Sequence, residues 1–529
     1  MKRRFLAGAM SAAMMLSGAM GQAVFAESET VDYSDQQTYP IVDEPITLKI
    51  MFGIRDVDSL ANPSDMPVVK AFEEKTGINL EWDVVKGSDW STKLNLMFVS
   101  DDYPDIIIAP MCNVDDEEYG VTQGLLIPLE DKIAENMPNY TTRIAGEDAD
   151  PTSGLVATDG HTYSIGYMVG QNINTNQHFF INQTWLDALG LETPLDELTE
   201  VLHAFKTQDP NGNGEADEVP LEMGFDTGFY GVRYILPMFG IPCDGEKWIY
   251  IDDDKNVQFT ATQDGFRKCM EWLHQMYEEE LVDAELISQD LNTIETKLKE
   301  GNVGFFMAWR LIAMGWDDGI ANDAILWTPG EDMGAKLWKT IEMAKGGAWL
   351  TITNEHVDES LKLLDAMMDT ETQFSMYYGE KDAEDGTGWT YNENGKIDTL
   401  NVGNTDNVKN YLDCNTMFFG PGKYISSVFN MPAQRVEKTE YCQKYDEAGV
   451  IQKYSNDYLR LAPLTSEQLQ SNALLETDIN NAVVENMATF VTEGVTDESW
   501  EKFVNMFDGM GVSDYIQMYQ DAIDTMELE

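Results

Sequence analysis

The chain has 529 residues, with 34 basic against 93 acidic side chains and a formal net charge of −59. A field of that sign repels nucleic acids and anionic membranes and keeps a protein dispersed. Heavy acidity suits disorder, but 43% hydrophobic and 11% aromatic residues supply enough apolar surface for two or more packed domains.

Residues 1–26 read as an export address. Lys2, Arg3 and Arg4 precede the apolar stretch Phe5 to Met20, and Val24-Phe25-Ala26 offers small residues where a signal peptidase cuts, ahead of Glu27. Removing that segment removes three cations and no anions, taking the charge from −59 to −62. Leu16-Ser17-Gly18 looks like the start of a lipoprotein box, but Ala19 stands where a cysteine would carry the lipid. Secretion to an extracellular or cell-surface location without a lipid anchor is therefore expected. No later apolar run is long enough to cross a bilayer. Cys112, Cys243, Cys269, Cys414 and Cys442 are scattered, and an odd count without CxxC spacing speaks against a disulfide framework or a zinc site. One pairing stays open.

Residues 27–44 are polar and acidic and read as a flexible tether. Ile46 to Phe52 then alternates as a strand ending at Gly53. A helix over Met66–Lys75 stops at Thr76-Gly77, and a second strand runs over Ile78–Val85. Asp89-Trp90 opens another helix, and the β-branched run at 105–109 suits a strand buried on both faces. Alternating strand and helix predicts parallel α/β layering, in which ligands sit beyond the carboxyl ends of the strands. That placement nominates Arg55, Trp90, Met111 and Asn113 to line a cleft. Further strands are predicted at 301–308, running into Trp309-Arg310, and at 346–352. Helices are expected over 360–378, 476–492, 498–510 and 515–525.

The most specific motif is Asp209-Pro210-Asn211-Gly212-Asn213-Gly214-Glu215-Ala216-Asp217-Glu218. Oxygen-bearing side chains fall at positions 1, 3, 5 and 9, with glycine at position 6, the spacing by which an EF-hand loop wraps oxygens around calcium. Asp209, Asn211, Asn213, Asp217 and Glu218 are the expected side-chain ligands, and Glu215 gives its backbone carbonyl. Position 12 is Pro220, so Glu218 must replace the usual bidentate glutamate, and the bland alternative is a polar surface turn. No clear exiting helix follows, which suits a structural staple better than a sensor.

Several segments together resemble the extracellular solute-binding proteins that serve carbohydrate importers, in particular their large oligosaccharide- and alginate-binding branch. They are Ala71 to Ile78, Tyr103 to Ile107, Phe180 to Leu186, Thr193 to Leu198 leading into the calcium-type loop, Gly304-Phe305-Phe306 and Trp500 to Gln520. The resemblance implies a type II periplasmic-binding-protein-like fold: two α/β lobes joined by crossing strands that hinge closed on ligand. It places the crossings near Ser164–Tyr167 and Gly346, lobe one at 45–165 plus 346–425, and lobe two at 166–345 plus 426–529. It also implies a monomer that hands its ligand to ABC importer permease subunits. No GxxxxGK[ST] loop is present, so ATP hydrolysis is not expected of this chain.

Sugar sites combine aromatic platforms with fixed polar groups. Trp90, Trp309, Trp349, Trp389, Tyr163 and Tyr167 are candidate platforms, and Arg55, Arg310, Asn113 and Glu380 candidate polar partners. Core packing or solvated surface is the ordinary alternative for each. Scarce arginine and the acidic field favour neutral oligosaccharides over uronates. A secreted carbohydrate hydrolase or lyase is the rival reading, although no HExxH, GxSxG or ligand-spaced histidine cluster appears. A calcium-stabilised adhesin is a third, weakened by the single copy of the loop.

Overall fold

The computed structural model describes residues 31–528 apart from 57–59, 61, 101, 113, 149, 169–177, 192–197, 226–229, 243–246, 309–310, 312–322, 330–333, 385, 401–410, 413–414, 432 and 527. The signal segment and the candidates Asn113, Trp309 and Arg310 lie outside the described residues. In chain order the strands are β1 (Ile46–Ile54), β2 (Ile78–Lys86), β3 (Ile106–Ile108), β4 (Ser164–Tyr167), β5 (His178–Asn182), β6 (Val219–Glu222), β7 (Ile249–Ile251), β8 (Val257–Phe259), β9 (Val303–Ala308), β10 (Ala324–Trp327), β11 (Lys345–Leu350), β12 (Gly388–Tyr391) and β13 (Ile397–Leu400).

Two larger sheets organise them. The first has the order β2-β1-β3-β11-β4 and the second β10-β5-β9-β6, with β12–β13 and β7–β8 as separate hairpins. In the first sheet β2, β1 and β3 run parallel, and β11 lies antiparallel to both β3 and β4. Sequence pattern explains the placement. Ile50 to Ile54 and the three isoleucines of β3 are buried throughout, as central strands covered on both faces must be, whereas β2 alternates and takes the edge. The helix Pro67–Thr76 returns the chain from β1 to β2. Proline occupies its first turn, and Gly77 ends it at φ 78° with its N–H on the Glu73 carbonyl.

Each larger sheet has its own core. The first gathers Leu48, Ile50, Phe52, Ile108 and Ile165 with Leu350, Leu364 and Phe419. The second gathers Phe179, Leu221, Phe305 and Trp327 with Tyr445, Ile479, Phe503 and Tyr519. Both lobes are thus built from segments far apart in the chain. Among the described residues no helix is long and apolar enough to cross a membrane, and Cys112, Cys269 and Cys442 carry thiols rather than disulfides.

Two expectations need correction. Residues 33–44 are not a free tether. Gln36 N–H donates to Asn139 Oδ1 (2.8 Å), Ile41 N–H to the Thr76 carbonyl (2.8 Å), and Asp35 accepts from Thr370 N–H (2.9 Å), so the segment is fastened along the first lobe. The single helix expected over 360–378 is two, Val357–Met367 and Thr370–Tyr378. Asp369 separates them because its carboxylate is drawn to Lys75 Nζ (2.7 Å) and Asn139 Nδ2 (2.8 Å).

Candidate functional site

The parallel strands β1, β2 and β3 all deliver their following segments to the same end of the first sheet, where an α/β sheet offers a crevice. A cavity of about 390 Å³ opens there, and its lining includes Trp90, Ser91, Asn95, Met111, Asp115 and Tyr119. Gly53 makes the arrangement possible: a Cβ there would stand 2.9 Å from both the Trp90 ring and Cys112 Sγ. The Trp90 indole therefore lies over the end of β1, 4% exposed, while Met111 is 43% exposed at the rim. Tyr119 stacks on Phe98 at 4.0 Å between centroids and donates its hydroxyl to Asn95 Oδ1 (2.8 Å). The Arg55 backbone N–H, immediately after β1, donates to Asn415 Oδ1 (3.1 Å). An apolar ring face beside carboxamide, hydroxyl and carboxylate groups suits a sugar's C–H face and hydroxyls.

Other nominated aromatics stand elsewhere. Trp349 is 2% exposed on β11, and its indole N–H donates to Asp116 Oδ1 (2.5 Å). Tyr163 is buried against Gly120, where a Cβ would come within 2.7 Å of its ring, and it donates to Asp159 Oδ2 (2.8 Å). Trp389 is fully buried among Phe374, Phe418, Tyr424 and Phe429, with its N–H on Ser375 Oγ (3.2 Å). None of these three lines that cavity, whereas Trp90, buried to a similar degree, does; each is packed under neighbouring segments in this structure. Tyr167 is half-buried at the end of β4, against Gly347 and Met417. Glu380 is exposed beside the β12–β13 hairpin, and its carbonyl accepts the Trp389 N–H (3.4 Å).

Behind the cavity wall, the partly buried Asp116 also accepts from Ser164 Oγ (3.0 Å). Burial pushes its carboxyl up to about 6, against the pull of the Trp349 and Ser164 hydrogen bonds.

The 209–218 loop follows the helix Leu198–Thr207 and leads into β6. Gly212 and Gly214 adopt φ 69° and 79°, and Asp209 itself has φ 45°, so the chain curls as the spacing predicts. Asp209 accepts from Gly214 N–H (3.1 Å), Asn211 from Asn213 N–H (3.0 Å) and Asn213 from Glu215 N–H (2.6 Å). Asp217 receives the Asn213, Asn211 and Asn302 amides, which hold its carboxyl below the usual range. Glu218 Oε1 is buried with no hydrogen-bond partner, and burial, with Asp217 and Asp209 adding repulsion, pushes its carboxyl up. A cation would relieve that carboxylate. Among the described residues, however, no three His, Cys, Asp or Glu side chains gather closely enough to hold a metal. Besides the Asp209, Glu215, Asp217 and Glu218 carboxylates, the loop offers the amide oxygens of Asn211 and Asn213 and its backbone carbonyls.

The model of the family described as bacterial extracellular solute-binding protein matches residues 58–374, more than half of the chain. The chain belongs to that family. This solute-binding protein is 26% identical over 510 residues to the fructooligosaccharide ABC transporter substrate-binding protein FusA of Streptococcus pneumoniae, covering 92% of this chain and 91% of that one. The structure of FusA with kestose superimposes with a TM-score of 0.74 at 24% identity, covering 90% and 99% of the two chains. A FusA EF-hand mutant with fructo-nystose gives 0.72 at 23% identity and the same coverage. An extracellular solute-binding protein from Bifidobacterium longum subsp. infantis gives 0.79 at 21% identity, covering 91% and 98%. The solute-binding protein thus has the two-lobed α/β fold, and its family binds solutes rather than transforming them.

Sequence reasoning missed Ser91, Asn95, Asp115 and Tyr119 in this solute-binding protein. A signal for Tyr119 existed, because it lies in the segment after β3, where binding residues were expected. The acidic run Asp115-Asp116-Glu117-Glu118 disguised that segment as solvated surface.

Proposed function

We propose that this chain captures a neutral oligosaccharide between its lobes and delivers it, unchanged, to the permease subunits of an ABC importer. The observation that carries this reading is the cavity beyond the carboxyl ends of β1, β2 and β3, which joins Trp90 and Tyr119 to Asn95, Ser91 and Asp115. The names of relatives that bind fructooligosaccharides support the ligand class. Trp90 and Tyr119 take the apolar sugar faces, Asn95 and Ser91 the hydroxyls, and Met111 fits around the rim. Arg55, Tyr167 and, on the second lobe, Trp309 and Arg310 remain proposed contacts, with Asn113 and Glu380 as polar partners. The chain is exported through the signal at residues 1–26, works as a monomer outside the membrane, and lacks a lipid because Ala19 replaces the cysteine.

Calcium is proposed as a structural ion at 209–218, held by Asp209, Asn211, Asn213, Asp217 and Glu218 with the Glu215 carbonyl. The orphaned Glu218 oxygen and the left-handed glycine at position 6 support it. Its chemistry there is charge neutralisation and cross-linking of the loop.

Calorimetric titration of the mature chain with kestose, fructo-nystose and a uronate oligomer tests the function. The expected result is one site for a neutral oligomer, recovered intact by chromatography. Preference for the uronate overturns neutrality, and appearance of cleaved sugar overturns the binding-protein reading.

A further inference from the structure

The helical turn Asp116–Thr122 is wound more widely than an α-helix, with the Gln123 N–H reaching the Glu118 carbonyl (3.0 Å). Asp115 caps it, accepting the N–H groups of Glu117 and Glu118 at 3.0 Å each. Its side chains sort into three directions. Asp115 and Tyr119 line the cavity. Asp116 and Gly120 face the strands at the far edge of the first sheet: Asp116 holds Trp349 of β11 and Ser164 of β4, and Gly120 lies on the Tyr163 ring. Glu118 accepts from Gln470 Nε2 (3.2 Å). Gln470 belongs to the helix Ser466–Glu493, whose Ile479, Val483 and Met487 are built into the core of the second lobe.

We propose that this turn couples the sugar cavity to lobe closure, with Asp116 as the positioning residue that ties β4 and β11 to the cavity wall and Glu118–Gln470 as the point where that wall meets the second lobe. The proposal rests on the capture function above and adds the device by which an occupied cavity biases the hinge. Three groups that must move together share one rigid turn, so a sugar that orders Tyr119 and Asp115 also fixes Asp116 and Glu118. β11 carries a register shift between Gly346 and Ala348, and a Cβ at Gly346 would come 2.6 Å from the Trp349 ring. The Trp349 side chain that Asp116 holds therefore lies over the irregular part of the strand.

The test uses the mature chain and small-angle scattering without ligand, followed by kestose binding kinetics. Gln470→Glu sets an exposed carboxylate against the half-buried Glu118. It is expected to raise the ligand-free radius of gyration and to weaken kestose about twofold to fivefold, mainly through faster dissociation. The double variant Glu118→Lys with Gln470→Glu, which places opposite charges in contact, is expected to restore both. Asp116→Ala should raise hydrogen exchange in 164–167 and 345–350, and Asp116→Asn, which keeps an acceptor for Trp349, should rescue it. Superposable ligand-free scattering for Gln470→Glu and the parent overturns the coupling, and so does Asp116→Ala with unchanged exchange. Failure of the parent to bind kestose counts against the ligand reading alone, because the scattering and exchange arms contain no sugar.

Discussion

Single side chains divide between those a sugar can reach and those only the core can use. Tyr119 and Trp389 make the contrast measurable. Tyr119→Ala removes a cavity-lining ring and is expected to lower oligosaccharide affinity about tenfold with a small change in melting temperature. Trp389→Ala empties a fully buried site and is expected to cost about 3–5 kcal/mol of stability, while the folded fraction keeps its affinity. Paired titration and thermal melts read both; an affinity loss in Trp389→Ala alone would reverse the assignment. A third residue, Glu222, is buried at the end of β6. Its Oε1 accepts Gln289 Nε2 at 2.6 Å, and its Oε2 has no partner. Burial, then the nearby Asp283 charge, pushes its carboxyl up to about 8, with Lys297 opposing. The folded chain therefore keeps a proton that the unfolded chain releases near 4.5, and stability is lost as pH rises through that interval toward 8. Glu222→Gln is expected to flatten the fall in melting temperature between pH 5 and pH 8, and an unchanged slope would remove Glu222 as its source. Glu222 carried no residue-level signal, and the aromatic character of Trp389 pointed to a sugar platform although the residue is core. The environment of Glu222 arises from residues 283–297, more than sixty positions away, and that of Trp389 from Phe374, Phe418, Tyr424 and Phe429 on separate elements around it.

At the scale of elements, the strands were legible where burial follows a local pattern. β1, β3, β9 and β11 lie within two residues of where alternation and β-branched runs put them, because strands covered on both faces must be apolar in sequence. The helix break at Asp369 was not legible, since it answers to Lys75 and Asn139. The curl of the 209–218 loop was legible in the sequence, down to the left-handed glycine at position 6, while calcium there is a proposal. If it holds calcium, a chelator should lower the melting temperature by several degrees, and calcium should restore it. Glu218→Gln, which leaves the curl of the loop intact, is expected to abolish most of that difference. A parent protein indifferent to the chelator would reduce the loop to a surface turn.

The whole molecule shows what alternation alone could not reveal. The parallel part of the first sheet is laid down by residue 108, yet its next strand is β11, at 345–350. The second core likewise waits for Tyr445 to Tyr519. Neither lobe can close from a contiguous half of the chain, so a fragment ending near residue 340 is expected to lack a cooperative melt, whereas a chain carrying both halves melts as a unit. A sharp transition in the fragment would show that the early strands suffice. Strand partners so far apart leave no mark in a window of ten or twenty residues, which is why the two-lobed plan came from family resemblance and not from periodicity.

The fastening of residues 33–44 has a mechanical meaning. Gln36, Ile41 and Asp35 grip the lobe that carries β1, so the stretch 35–41 moves as part of that lobe. When the lobes hinge, this amino-terminal stretch and the cavity beside Trp90 travel together on one of them.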